Sequence, residues 1–393
     1  MTSKKTHKPY VKFVGFLLVA SIFYLCLVVS DYLLRRYLTS IAVSHTPEAK
    51  LIIEKRNNED LRLREYAISE GYKPMIYPES VESYPVLQNI ATQLNVAPLA
   101  PQPHTKLYFC NEGYGLIKYI SDKFGFRNED SAWIKEADVL LIGDSFIQGA
   151  CVQKKDSIAG VLGSNLNVVN LGTAGNAPLH YAALAKNFIP YLKPKNVVLT
   201  FYANDNGIGE KDSIYFQKYF VEGKSYFEMN KDLEQFYKAA EPLVQKIING
   251  GDVGLENQDG SSAYKILKYM RLPTLSYQLR MLLYKFGLLG AGGLHFSSRL
   301  AIDTAQQMCE INKCRLYIAW IPNSKFWHPD EDSSGYAALL KNYSAQRNIE
   351  FFDLSDEINK INGRGGYADK GPHLSPEGNK AVANFLSKKI IQR

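Results

Sequence analysis

Val139-Leu140-Leu141-Ile142-Gly143-Asp144-Ser145-Phe146-Ile147-Gln148-Gly149 is the stretch that decides the fold. Its four apolar residues stop on a glycine, the pattern of a buried parallel strand running into a tight turn. The turn leaves the Ser145 hydroxyl at the carboxyl end of that strand, where open α/β sheets place their chemistry. A nucleophile elbow of the α/β-hydrolase kind is excluded. That elbow needs glycine two residues before and two after its serine, and here Gly143 fills the first place but Ile147 the second.

Four more β-rich runs follow: Val168 to Asn170, Val197 to Phe201, Leu316 to Ile321 and Glu350 to Asp353. Helix-length segments lie between and after them, near Ser157 to Leu166, Leu179 to Leu192, Ser298 to Cys309, Tyr336 to Gln346 and Pro376 to Lys389. Strands alternating with helices predict a five-stranded parallel sheet covered on both faces. The last helix has a clear start, with Ser375 as N-cap and Pro376 in the first turn, where its missing N–H costs nothing. His373 therefore sits on the loop just ahead of it. Between the third and fourth strands the spacing jumps, and residues 208 to 297 read as a helical insertion. Its first part is aromatic, with Tyr215, Phe216, Tyr219, Phe220, Tyr226 and Phe227. Its last part, Ser261 to Gly290, carries Lys265, Lys268, Arg271, Arg280 and Lys285 with no acidic residue, and Pro273 divides it into two helices. It reads as a cap that attracts acidic substrates, as a face on an anionic membrane, or as an ordinary helical subdomain with solvated lysines.

Three loops join Ser145 at one edge of such a sheet: Asn170-Leu171-Gly172-Thr173-Ala174-Gly175-Asn176, Tyr202-Ala203-Asn204-Asp205-Asn206-Gly207, and Asp369-Lys370-Gly371-Pro372-His373-Leu374-Ser375. Acyl transfer by serine needs this combination. An imidazole takes the hydroxyl proton, and a carboxylate or carbonyl on its far nitrogen fixes the tautomer. Fixed N–H donors hold the oxyanion, each worth about 3 to 4 kcal/mol in related chemistry. A glycine N–H and an Asn amide are suitable donors. His180 and His328 lack such a context and read as structural, and Asp205 has no evident partner.

At this point the chain resembles the SGNH (GDSL-type) hydrolases, whose Ser, Gly, Asn and His blocks it carries in order. The resemblance covers residues 136 to 393. It implies a flavodoxin-like three-layer α/β/α sandwich with Ser145 as nucleophile and His373 as base. Ser145 N–H, Gly175 N–H and the Asn204 side chain would form the oxyanion hole, with no metal or cofactor. The stretch Asp122-Lys123-Phe124-Gly125-Phe126-Arg127-Asn128 also looks like a segment found before the serine block in membrane-anchored bacterial members. One position departs from the family pattern. Three residues before the histidine, where an Asp is usual, stands Lys370; Asp369 is one residue further away, and Gly371-Pro372 rules out a regular helix between. Asp369 is the expected orienter of His373 if the loop bulges. Otherwise a backbone carbonyl takes that place and the site is a Ser-His dyad.

The N-terminus bears on location. No charged residue occurs from Phe13 to Ser30, near the lower limit of the roughly 17 to 25 residues that cross a bilayer. Lys4, Lys5, Lys8 and Lys12 precede this run and Asp31, Arg35 and Arg36 follow it, so the positive-inside rule puts residues 1 to 12 in the cytoplasm. Residues 13 to 34 read as an uncleaved anchor, because no small-x-small cleavage site follows the apolar run. Residues 35 to 135 read as a helical stalk and a Pro-containing linker. The net charge of +7 owes much to the N-terminal lysines and lends no support to nucleic-acid binding. Of five cysteines, Cys26 lies in the anchor; Cys110, Cys151, Cys309 and Cys314 allow up to two disulfides in an oxidising compartment, their pairing open. No spacing resembles a zinc site.

The combined expectation is a bacterial inner-membrane, single-pass serine esterase or acyltransferase facing the periplasm. The first expected substrate is an O-acetyl group of a cell-surface glycan, on the strength of the resemblance and location, with polysaccharide-modification partners open. Two alternatives stand beside it: a lipid-directed, lysophospholipase-like esterase, and a non-catalytic glycan-binding or assembly component that keeps the fold.

Overall fold

The structure is a computed structural model that describes residues 8–42, 47–134, 136–205, 213–249, 272, 275, 279, 282–283, 293–328, 334–361, 364 and 366–391. The chain divides into two compact units, Met1–Ser44 with Asp259–Gly290, and His45–Gln258 with Ala291–Arg393.

In the first unit, helix α1 (Lys8–Ala42) contains a stretch, Phe13–Leu34, that is long and apolar enough to cross a membrane, with a mean hydropathy of 2.5. From Phe13 to Ser30 it carries no charged residue, and its most apolar window lacks the protein cover that a soluble core helix would have. The five basic residues expected to mark the insertion's last part, and Pro273, lie outside the described residues.

The second unit is built on a parallel sheet of β4 (Val139–Ile142), β5 (Val168–Asn170), β6 (Asn196–Tyr202), β7 (Arg315–Ile321) and β8 (Glu350–Asp353), in the order β5-β4-β6-β7-β8. Counted along the sheet this is the flavodoxin-like order 2-1-3-4-5. The strand that carries Ser145 lies inside the sheet, with Leu140 in register with Val169 on one side and Val197 on the other. All four residues of β4 are buried, as a strand covered on both faces requires. Helices α6 (Ile158–Leu162) and α11 (Pro376–Ile391) pack together; Val139, Leu141, Ile158, Leu162, Val382 and Leu386 share one apolar cluster with them. Helices α7 (Pro178–Leu192) and α9 (Phe296–Asn312) pack on each other, and α10 (Ser334–Gln346) lies against β8.

The segment ahead of the sheet is structured differently from a stalk and linker. Helix α2 (Pro47–Ser69) leads into α3 (Pro78–Ser83), α4 (Pro85–Leu94) and a small sheet of β1 (Lys73–Pro74), β2 (Lys106–Tyr108) and β3 (Lys118–Ile120), all within the second unit. Val96, Ala97, Leu99 and Ala100 are fully buried. Tyrosines of the insertion supply hydrogen-bond donors to backbone carbonyls of this stretch. Tyr219 donates to the Ala97 carbonyl and Tyr237 to that of Ala100, each at 2.6 Å, while Tyr215 donates to Pro78 at 2.7 Å. The aromatic run of the insertion, continued by α8 (Asn230–Ile248), is thus a packing surface for the approach segment.

Two disulfides form, Cys110–Cys151 and Cys309–Cys314; Cys26 is free.

Candidate active site

Ser145 is the first residue of α5 (Ser145–Gln148), a single turn opened by Asp144, whose carboxylate accepts from the Phe146 N–H at 2.9 Å. The segment Asp122 to Asn128 braces this turn from outside. Arg127, 5% exposed, donates to the carbonyls of Gly149 at 2.7 Å and Val152 at 3.0 Å. Asn128 bonds both ways with Asn170 at the end of β5, and the Asn170 amide donates to the Ile147 carbonyl at 2.7 Å. Asp122 holds the segment's own turn through the N–H groups of Phe124 and Phe126 and the side chains of Asn128 and Trp133. Burial pushes the Asp122 carboxyl up to about 6 against the pull of these bonds.

His373 reaches Ser145 from the loop before α11. An antiparallel bridge between Tyr367 and Leu374, with the Ala368 N–H donating to the His373 carbonyl at 2.8 Å, closes this loop. His373 Nε2 lies 2.9 Å from Ser145 Oγ. Its Nδ1 lies 2.7 Å from Glu112 Oε1, and its backbone N–H donates to Glu112 Oε2 at 2.9 Å. With the proton on Nδ1, where Glu112 accepts it, Nε2 is left to accept from the serine hydroxyl.

The acid on His373 is therefore Glu112, and the expectation of Asp369 is corrected. Asp369 is exposed and makes no hydrogen bond to His373 among the described residues; its own carbonyl accepts from Arg364. The reason is steric as well as topological. The loop turns its Gly371 toward Glu112, and a Cβ at Gly371 would lie 2.0 Å from Glu112 Cδ. A glycine there opens the path by which a carboxylate from another segment enters. Helix α2 supports the arrangement with one face, since positions three and four apart align. Arg56 donates to the Lys370 carbonyl at 2.9 Å and lies 3.9 Å from Glu112, Glu59 pairs with Lys370 at 2.7 Å, and Asp60 accepts from Asn111 at 3.0 Å.

The electrostatics follow. Burial would raise the Glu112 carboxyl, but the charge and two hydrogen bonds of His373, with Arg56, leave it below its ordinary value. Burial would lower His373, yet the Glu112 carboxylate, with a contribution from Asp144, holds it above its ordinary value. Burial raises both Asp144 and Asp205, and the Asp144 charge raises Asp205 further, while the Phe146 N–H and the His373 charge pull Asp144 down. Asp205, without a partner in the sequence reading, accepts from the Tyr181 hydroxyl at 3.0 Å and the Tyr202 N–H at 2.8 Å. His180 is structural in its geometry: it is buried, and its Nδ1 accepts from the Ala177 N–H at 3.0 Å.

Gly175 and Asn204 lie at the carboxyl ends of β5 and β6, the two strands that flank β4. Both are exposed, Gly175 in a left-handed conformation (φ +72°) and Asn204 in a 3-10 turn, Ala203–Asp205, that Asp205 anchors. Glu79 of α3 lies over Gly175, where a Cβ would come 2.1 Å from its Oε2. Burial, and then Glu82, push the Glu79 carboxyl up.

The sheet order and the placing of the four blocks at one edge decide the fold. The chain has a flavodoxin-like three-layer α/β/α fold. No protein-family model matches it, and no curated protein matches it by sequence. Similar solved structures include one described as a lipolytic protein of the G-D-S-L family from Desulfitobacterium hafniense, 16% identical, covering 64% of this chain and 97% of that one with a TM-score of 0.33. Another, from Bacteroides fragilis, is described as an acylhydrolase (13% identical, 66% and 88% covered, TM-score 0.35). A GDSL-like lipase from Bacteroides thetaiotaomicron is 11% identical, with 65% and 89% covered and a TM-score of 0.34.

Against the SGNH pattern, the chain differs in drawing its carboxylate from about 260 positions upstream of the histidine. Glu112, Cys151 and His373 also bring potential metal-ligand atoms within 4.8 Å of one another. Cys151, bonded to Cys110, has no thiolate to offer there.

Proposed function

We propose that this chain is a membrane-anchored serine esterase or acyltransferase whose triad is Ser145, His373 and Glu112. The observation that carries the reading is the continuous relay from Ser145 Oγ through both ring nitrogens of His373 to a carboxylate that is 3% exposed. In this reading His373 takes the Ser145 proton as Oγ attacks the ester carbonyl. Glu112 stabilises the imidazolium that forms, and the Ser145 N–H, the Gly175 N–H and the Asn204 amide hold the oxyanion. His373 then returns the proton to the leaving alcohol. Water or a sugar hydroxyl, deprotonated by the same imidazole, releases the acyl group.

The substrate we propose is an O-acetyl group of a cell-surface glycan, handled on the periplasmic side of the inner membrane. Support comes from the SGNH resemblance, the apolar helix Phe13–Leu34 and the lysines ahead of it. The test uses the full chain in detergent with a chromogenic acetate ester, a fluorophosphonate probe, acetylated glycan and lysophospholipid. We expect ester turnover, labelling of Ser145 that Ser145→Ala abolishes, and acetate release or transfer with the glycan. Neither turnover nor labelling would leave a non-catalytic component as the reading, and turnover confined to lysophospholipid would replace the substrate.

A further inference from the structure

The Cys110–Cys151 disulfide straddles the site. Cys110 stands two residues before Glu112 and Cys151 six residues after Ser145, with 5.0 Å between their Cα atoms. The Cys151 sulfur lies 3.8 Å from His373 Nδ1, beside the hydrogen bond to Glu112. Glu112 itself belongs to no helix or strand; it lies in the connection between β2 and β3. Among the described residues, the hydrogen bonds that this connection makes across to the His373 loop are the Lys370 N–H to the Glu112 carbonyl at 3.2 Å and the bonds of the carboxylate itself. A carboxylate that is free to leave regains its hydration in water, so its loop has to be held for it to stay buried. The covalent link to the loop after Ser145 is the strongest such restraint among the described residues.

We propose that the Cys110–Cys151 disulfide is the positioning element that keeps Glu112 on His373, so that oxidation of these two thiols assembles the active site. The inference rests on the triad reading above. Forming the bond removes two protons and two electrons from the Cys110 and Cys151 thiols. A disulfide-bearing oxidant accepts them and becomes a pair of thiols. A chain whose thiols are still reduced holds Ser145 and His373 in place but lacks a fixed carboxylate. Its hydrolytic activity is then latent until the link closes. The other disulfide offers an internal control: Cys309–Cys314 joins the end of α9 to the residue before β7, at the amino edge of the sheet, away from the edge that carries Ser145.

The experiment uses the full chain in detergent, with ester kinetics, circular dichroism and the nitrogen-bound ring proton of His373 followed by NMR after ¹⁵N-histidine labelling. Cys110→Ser with Cys151→Ser is expected to lower kcat roughly 10²-fold at unchanged KM, the scale of a small misplacement. It is expected to remove the low-field Nδ1 proton signal of an imidazole bonded to carboxylate. Cys309→Ser with Cys314→Ser should leave both unchanged. Dithiothreitol should reproduce the loss in the wild type, and a glutathione disulfide buffer should reverse it, which covers the case of a Cys110/Cys151 variant that does not fold. In a Glu112→Gln background, removing the disulfide should cost nothing further. Wild-type kcat in the reduced chain, or losses that multiply in the Glu112→Gln background, would overturn the proposal. The NMR signal separates the two readings. A wild type that neither turns over ester nor takes the fluorophosphonate label sinks the esterase, while a signal that survives reduction sinks the positioning role.

Discussion

Replacing Glu112 by Gln keeps the side chain's size and removes its charge, which makes it a direct test of the relay. Glu112 is 3% exposed and makes two bonds to His373, at 2.7 and 2.9 Å. A hydrogen bond to a charged group contributes about 1.5 to 3 kcal/mol, and the Nδ1 bond strengthens as the imidazolium forms. At about 1.4 kcal/mol per tenfold in rate, losing that bond alone lowers kcat roughly 10- to 100-fold. If the Gln amide turns its N–H toward Nδ1, the ring proton is forced onto Nε2 and the loss extends toward about 10⁴-fold. The pH profile should move as well. The Glu112 charge holds His373 above its ordinary value, so the wild-type acid limb of kcat/KM is displaced upward from that of a free histidine. Without that charge the neutral base persists to lower pH, and the limb moves down while the plateau falls. Ester hydrolysis by the full chain across pH, normalised to fluorophosphonate-titratable sites, measures both quantities. An unchanged plateau and limb in Glu112→Gln would refute the assignment. So would a comparable loss in Asp369→Asn, for which we expect wild-type behaviour.

Three further outcomes follow from the same geometry. Gly371→Ala should reproduce most of the Glu112→Gln kinetic loss with a similar melting curve, because its methyl group competes for the carboxylate's position; full activity in this variant would contradict the packing. Arg127→Ala leaves two buried carbonyls without their donor, at a cost of about 2 to 5 kcal/mol that a urea melt can read, and unaltered stability would remove Arg127 as a brace of the serine turn. Asp205 binds its proton more tightly folded than unfolded, so stability is fully present below the unfolded pKa and declines as pH rises through the folded one. Asp205→Asn should flatten that decline in a series of melting temperatures against pH, and a slope identical to wild type would exclude the buried pair as its source.

Much of the sheet was legible because a parallel strand buried on both faces has a nearly continuous apolar run, and each run here ends in a loop with marked composition. Val139–Ile142, Val168–Asn170 and Glu350–Asp353 fall where the pattern puts them, and β6 and β7 extend it by a residue or two at their ends. Ser145 and His373 were legible for a related reason, since each sits at a punctuated boundary, a glycine turn and a proline-started helix. Glu112 was not. A carboxylate in a loop between two three-residue strands has no periodicity to announce it, and its partner lies 261 residues away. Signals were nevertheless present: a cysteine two residues before Glu112, another six after Ser145, and a glycine within the histidine loop that no turn requirement explained. The approach segment misled for a physical reason too. Its prolines and short polar runs look like a linker, and what makes it a packed layer is the set of tyrosine hydroxyls supplied by an insertion more than a hundred residues later.

Gly371 carries an implication for how such a site is inherited. In this chain the space beside the histidine loop is already occupied by a carboxylate from elsewhere, so the loop has surrendered a side chain in order to host it. A lineage could move the acid back onto the histidine loop only by vacating that space first, through loss of Glu112. The two positions are therefore free to vary together and not singly. Comparison among descendants of this chain should show a glycine two residues before the histidine travelling with a glutamate two residues after a cysteine.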